Sequence, residues 1–290
     1  MQWTIRTKLG LIITILAVGV AARAQETGSP PASAPASQPA ATATTQPALD
    51  PQVDKILTRL EERVVRDLRA EVTWRLQYVL DLDEDAVVKK GRLWYQQGEP
   101  TARFLVHFTK KISSNRLHEL DERHMFDGRW YIEVNSETKT YTKREIRREG
   151  DTANPYRLGE GPFPLPFGQK KEDILREFAV TVLPPAEGDP PATDHLRLDP
   201  REGSETGRSY RQVDVWVARE GPSAGLPMKL HSAKLDGTGK VNSYLTITFD
   251  DVQLNTGFSA SVFELRPPAG YDVHEERLDP IALPEGAGEP

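Results

Sequence analysis

Residues 242–273 read NSYLTITFDDVQLNTGFSASVFELRPPAGYDV. Leu245, Ile247 and Phe249 alternate with Thr246 and Thr248, the period-two pattern of a strand with one dry face and one wet face. Asp250 and Asp251 break that phase, and the apolar residues then fall on Val252 and Leu254. The slip predicts a β-bulge, an extra residue that bends the strand and increases its twist. Asn255, Thr256 and Gly257 supply a turn. Phe263 and Leu265 resume the alternation as a second strand, which Pro267-Pro268 ends because neither proline can donate to a ladder.

The same periodicity recurs upstream. Val72, Trp74, Leu76, Tyr78 and Leu80 alternate with Glu71, Thr73, Arg75 and Gln77. Residues 91–95 and 103–108 form the next strands. Asp127-Gly128 turns Met125-Phe126 back into 130–134, and 140–146 returns after it. Val180 with Val182, Leu196 with Leu198, then Val213, Val215 and Val217, and finally 226–230 continue the series. About ten or eleven antiparallel strands joined mostly by short turns predict a mainly β chain of the α+β class, one strongly curved sheet or incomplete barrel. Two helices remain to cover its concave face. Asp50 caps the first and Pro51 occupies its opening position, followed by the stripe Val53, Ile56, Leu57, Leu60, Val64 and Leu68. The second spans about 170–178, with Ile174, Leu175 and Phe178 on one face. Before it, Phe163, Leu165 and Phe167 are the large apolar residues of a Gly/Pro-rich loop, read either as a flap on a greasy surface or as loop filler.

The 290 residues carry no cysteine and a formal net charge of −6. No cysteine means no disulfide, thiolate nucleophile or lipidated N-terminal cysteine. The mild acidity argues against a nucleic-acid partner, which would need a basic stripe along the phosphates. Arg6 and Lys8 precede the apolar run 9–20 and Ala22-Arg23-Ala24, the pattern of a secretory signal peptide cleaved after Ala24. The run is short for a spanning helix, so an uncleaved inner-membrane anchor is the lesser alternative. Residues 25–49, rich in Pro, Ala, Ser and Thr, read as a disordered linker, 50–278 as the folded domain, and 279–290 as a disordered tail.

The six histidines, His107, His118, His124, His195, His231 and His274, lack the spacing that would put two on one helix face, and the acidic turn at 81–85 lacks the EF-hand pattern. There is no G-x-S-x-G elbow and no glycine-rich phosphate loop. The chain therefore reads as a non-enzyme with no metal and no cofactor. Lys143, Arg144, Arg147 and Arg148 form the one dense basic cluster, read as a solvated strand end or as a contact for an acidic partner or lipid headgroups. The positive signal is apolar. Trp74, Leu76, Phe104, Val106, Trp130, Ile132, Val213, Val215, Leu245, Ile247 and Phe249 give a curved sheet more greasy surface than two short helices fill, a surface suited to acyl chains.

Several of these segments resemble the LolA-type carriers of bacterial lipoproteins. They are the G-x-L-W-Y of 91–95 followed by Arg103-Phe104, then Asp127-Gly128 with Tyr131-Ile132 and a short return strand. Leu196, Leu198 and Pro200 follow, and last comes the closing segment with Phe258, Phe263, Pro267-Pro268 and Gly270. The resemblance spans nearly all of 51–273. It implies a LolA-like sheet whose cavity takes the acyl chains of lipoproteins or other lipids. It also implies a lid over the mouth, with Phe163, Leu165, Phe167, Ile174, Leu175 and Phe178 as its apolar residues. A monomer in the periplasm is expected, loaded by an inner-membrane ABC-type exporter and unloaded by an outer-membrane receptor. One departure is plain: the family's Arg-Pro pair after the Leu-Trp strand, linked to lid closure, is replaced by Gln96-Gln97-Gly98-Glu99-Pro100. No latch arginine is carried over, and Arg103 is not assigned that role. The alternative is a periplasmic sensor or regulatory protein that binds a lipidic or protein ligand with the same fold. Such relatives carry a second domain, for which few residues follow Val273. A scaffold with a self-filled cavity is a third reading.

Overall fold

The computed structural model describes residues 49–79, 86–98, 101–148 and 167–278. The expected signal peptide, the linker up to residue 48, Leu80 with the acidic turn, Glu99-Pro100, Phe163 and Leu165, and the tail at 279–290 lie outside them.

Among the described residues, twelve strands form one sheet. They are β1 (Asp67–Tyr78), β2 (Val87–Gln96), β3 (Arg103–Ser113), β4 (Arg116–Phe126), β5 (Trp130–Asn135), β6 (Thr140–Glu145), β7 (Phe178–Leu183), β8 (Thr193–Pro200), β9 (Tyr210–Ala218), β10 (Pro227–Leu235), β11 (Val241–Leu254) and β12 (Asp272–Glu276). The helices are α1 (Pro51–Glu62) and α2 (Lys171–Glu177). The spatial order is β12-β6-β5-β4-β3-β2-β1-β11-β10-β9-β8-β7, so the curved sheet keeps two edges and does not close. The expected mainly β architecture, one curved sheet that does not close into a barrel, is the one observed.

The 242–273 stretch holds both a success and a correction. β11 pairs with β1 and slips register between Arg69 and Glu71, whose partners are Gln253 and Asp250. Asp251 takes the left-handed conformation there, φ 47°, which is the predicted bulge. Residues 258–265, however, form no strand. The chain leaves the sheet at Asn255 and makes a 3-10 turn at Ala260–Phe263. It then returns as β12, which lies parallel to β6 in a sheet otherwise antiparallel. The spacing of Phe263 and Leu265 reflects packing on the reverse face of the sheet rather than a pleat.

Asp50 accepts a hydrogen bond from the Gln52 N–H at 2.7 Å and caps α1 as expected. The helix ends at Glu62, short of the predicted stripe. Val64 is 77% exposed, while Leu68 begins the alternation Leu68, Ala70, Val72 that buries β1. Pairing with β2 and β11 outcompetes one more helical turn. The turn at 219–226 leans on the end of α1 so closely that a Cβ on Gly225, φ 82°, would lie 2.7 Å from the Arg59 carbonyl oxygen.

Strand alternation divides the core between two faces. Trp74, Ile247, Leu230, Val215, Leu196 and Val182 stand opposite one another across β1, β11, β10, β9, β8 and β7. They make one continuous row on the helix-bearing face. α1 buries Val53, Ile56, Leu57 and Leu60 against the β8–β10 part of that face. On the reverse face Leu105, Met125, Ile132, Val134 and Tyr141 pack beneath Phe263, Phe258 and Leu265.

Candidate functional site

The helix-bearing face is apolar along two joined clusters. One carries Leu68, Val72, Leu93, Phe104, Val106, Phe108, Phe126, Tyr131, Leu245, Ile247 and Phe249, with Trp74 and Leu76 partly buried against it. The other carries Val213, Val215 and Leu230 with α1, α2 and Phe178. Of the residues expected to line a cavity, Trp74, Leu76, Phe104, Val106, Val213, Val215, Leu245, Ile247 and Phe249 share this face. Trp130 and Ile132 do not, since they belong to the reverse-face cluster and Tyr131 points to the helix-bearing side in their place. Residues 130–132 are all large and apolar, and both faces of β5 are covered, so periodicity there could not tell one face from the other.

Among the described residues, α1 and α2 lie over the β7–β10 part of the face. Phe167 packs over β2 and β11. Its ring centroid lies 5.0 Å from Phe249 and 5.8 Å from Tyr95, and the side chain is buried. A cleft of about 30 Å³ remains beside it among Leu60, Val65, Tyr95, Phe167 and Leu226, room for one or two waters. Of the other expected lid residues, Ile174 and Leu175 lie on α2 and Phe178 opens β7, all in the second cluster. Lys171 of α2 is tied to Asp54 and Thr58 of α1, and Arg59 of α1 to Asp194 of β8. A larger cleft of about 470 Å³ opens on the reverse face, but Lys90, Arg92, Lys110 and Glu71 line it, which suits water rather than acyl chains.

Deeper on the helix-bearing face the apolar surface is interrupted by a polar chain that sequence reasoning missed. Lys89 Nζ donates to both Glu122 oxygens at 2.7 Å and sits 5.2 Å from the Trp74 ring and 5.9 Å from that of Phe108. His124 Nε2 lies 2.7 Å from Glu122 Oε1, and its Nδ1 2.8 Å from the Tyr131 hydroxyl. An ionised carboxylate only accepts, so in the neutral ring Nε2 carries the proton and Nδ1 accepts from Tyr131. Burial pushes the Glu122 carboxyl up, but hydrogen bonds from His124 and Lys89 outweigh it and hold the group at about 2. Burial likewise pushes the Tyr131 hydroxyl above its ordinary value. The available signal was polar residues in the inward phase, Lys89 between Val87 and Leu93, and Glu122 with His124 between Leu120 and Phe126.

Gln97 accepts from the Tyr95 hydroxyl at 3.0 Å, and burial pushes that hydroxyl up to about 12. Arg103 donates to Gln96 and lies 4.5 Å over the Phe263 ring, on the reverse face. Among the described residues no helix is long and apolar enough to cross a membrane, and no three His, Asp or Glu side chains gather as metal ligands.

No protein-family model and no curated protein sequence matches the chain. Solved structures similar to it include an uncharacterized conserved protein from Thermus thermophilus. That match has 13% identity, a TM-score of 0.43, and covers 78% of this chain and 99% of the other. A DUF1329 family protein from Desulfovibrio piger is similar at 14% identity and a TM-score of 0.34, over 73% of this chain and 96% of its own. A LolA superfamily protein from Nitrosomonas europaea is similar at 12% identity and a TM-score of 0.35, over 73% of this chain and 97% of its own.

Proposed function

We propose that this protein is a periplasmic carrier that takes acyl chains onto the helix-bearing face and shuttles acylated lipoproteins or related lipids toward the outer membrane. It does so by binding, without catalysis. The observation that carries the reading is a continuous apolar face of which the described helices overlie one part. Among the described residues the helices lie over β7–β10, and Phe167 packs on Tyr95 of β2 and Phe249 of β11. Withdrawal of that side chain would free a slot lined by Tyr95, Val72 and Phe249. Each methylene hidden there is worth about 0.8 kcal/mol, enough to carry fatty chains through water. With no nucleotide motif in the chain, loading would draw on a membrane partner, an ABC-type exporter on one side and an acceptor in the outer membrane on the other.

Native mass spectrometry of the protein purified from its own periplasm, with lipid extraction of any bound mass, tests this directly. Co-purified acylated peptide or lipid is the expected result. A clean apo mass, together with failure to take up a fluorescent fatty-acid probe, would overturn the carrier and leave a sensor or a scaffold with a self-filled interior.

A further inference from the structure

The basic cluster at 143–148 is not one feature. Lys143 lies 3.8 Å from Glu275 and 4.1 Å from the Trp130 ring centroid, and Arg144 Nε donates to Glu276 at 2.9 Å. Both are therefore engaged by β12 and its neighbourhood. Arg147 differs. It is only 3% exposed, and its one side-chain hydrogen bond among the described residues runs from Nη1 to the Gly128 carbonyl at 3.1 Å. Nε and Nη2 are buried and have no partner there.

Leaving a guanidinium buried and unpaired is costly, so proteins ordinarily pair such a group. The two free nitrogens are not scattered. Nε and Nη2 form one edge of the planar fork, the edge that grips two oxygens of a carboxylate or phosphate in parallel. Arg147 stands at the border of the apolar face: Ile146, one residue before it, packs against the cluster of Phe104, Phe126 and Tyr131, and Gly128, which its side chain reaches, lies in the turn between Phe126 and Trp130. An oxyanion on the free edge would thus stand next to chains lying on that face.

We propose that Arg147 is an anion subsite at the rim of the apolar face, and that the ligand class is an acyl lipid with an oxyanion headgroup rather than a neutral acylated cargo. The inference rests on the carrier reading and narrows it. Phosphatidylglycerol and diacylglycerol with identical acyl chains, each in mixed micelles, separate headgroup from tail, and inorganic phosphate supplies the anion alone. The full chain is expected to hold phosphatidylglycerol about tenfold more tightly than diacylglycerol, since a bidentate charge-assisted contact of this kind is worth at least one such factor. Arg147→Met should lose that preference and keep its diacylglycerol affinity. Arg147→Lys, which retains the charge without the fork, should lose most of it. Phosphate should compete with phosphatidylglycerol only.

Equal affinity of the wild type for the two lipids, or a loss of both alike in Arg147→Met, would overturn the subsite while the carrier stands. Phosphate that raises the melting temperature of the wild type but not of Arg147→Met, with neither lipid bound, would assign the site to free phosphate and overturn both the lipid ligand and the carrier. No binding of lipid or phosphate would end both readings.

Discussion

Glu122 is the residue on which the polar chain of the helix-bearing face turns. It is the common partner of Lys89 and His124, and it is almost wholly buried. Its carboxyl, held at about 2 when folded, lies below the ordinary range near 4.5, so folding favours the ionised form. The sign follows. This contribution is fully present above about pH 4.5 and is lost as the pH falls toward 2, where the folded carboxyl also takes a proton. Glu122→Gln keeps the shape and removes the charge, leaving the half-buried Lys89 against two aromatic rings without its counter-ion. We expect it to cost about 3 kcal/mol at pH 7, the scale for breaking a buried pair by removing one partner. The gap between variant and wild type should then narrow between about pH 4.5 and 2. Urea unfolding at pH 7, 4 and 2.5 measures this, and a gap that stays constant across the three would show that another group titrates there.

At the scale of the element, β12 is held differently from every other strand. All five of its residues are exposed, so it brings no apolar area to β6. What holds it is backbone pairing, two ion pairs to Lys143 and Arg144, and the anchoring of the preceding segment by Phe263. Exposed pairs are worth about 0.2–1 kcal/mol each. Reversing both to Glu275→Lys and Glu276→Lys should therefore free β12 without unfolding the sheet. Hydrogen exchange of the β6 amides is expected to speed up, the melting temperature to move little, and added salt to shrink the difference by screening the new repulsion. Unchanged protection would mean that the ladder alone suffices. The same element marks where the sequence was hard to read. Strands with one apolar phase, β1, β9 and β11, were legible from alternation, as was the bulge from the shift of phase at Asp250-Asp251. β12 was not, because parallel pairing after a long crossing of the reverse face leaves no periodic trace. The first half of β4 was hidden as well: Leu117 is exposed, Leu120 is buried three residues later, and Glu122 and His124 occupy inward positions through polar contacts. For the candidate site, nine of the eleven proposed lining residues share the expected face, and the two on β5 do not, since Tyr131 and Ile132 are adjacent and each is buried on its own side.

For the whole molecule, the decisive relation is between the open sheet and what fills it. Among the described residues, twelve strands ordered from β12 to β7 carry an apolar face of which α1 and α2 overlie one part, so other apolar groups occupy the remainder. Phe167 is one such group, and in the proposed carrier an acyl chain would take its place, so the two compete for one space. Phe167→Ala should separate them. Emptied of the ring, the unloaded protein is expected to lose about 3–5 kcal/mol, the range for deleting a buried phenyl group. Because the site is then vacant, a fluorescent fatty-acid probe should bind more tightly than to the wild type. At a free concentration about a hundred times the dissociation constant, the probe should return about 2.7 kcal/mol of the loss. Thermal unfolding with and without the probe, on both proteins, reads all three quantities. A variant that is destabilised but gains neither affinity nor rescue would mean that the space collapses when the ring is removed, and that Phe167 is a core residue of a filled scaffold rather than a stopper that cargo displaces.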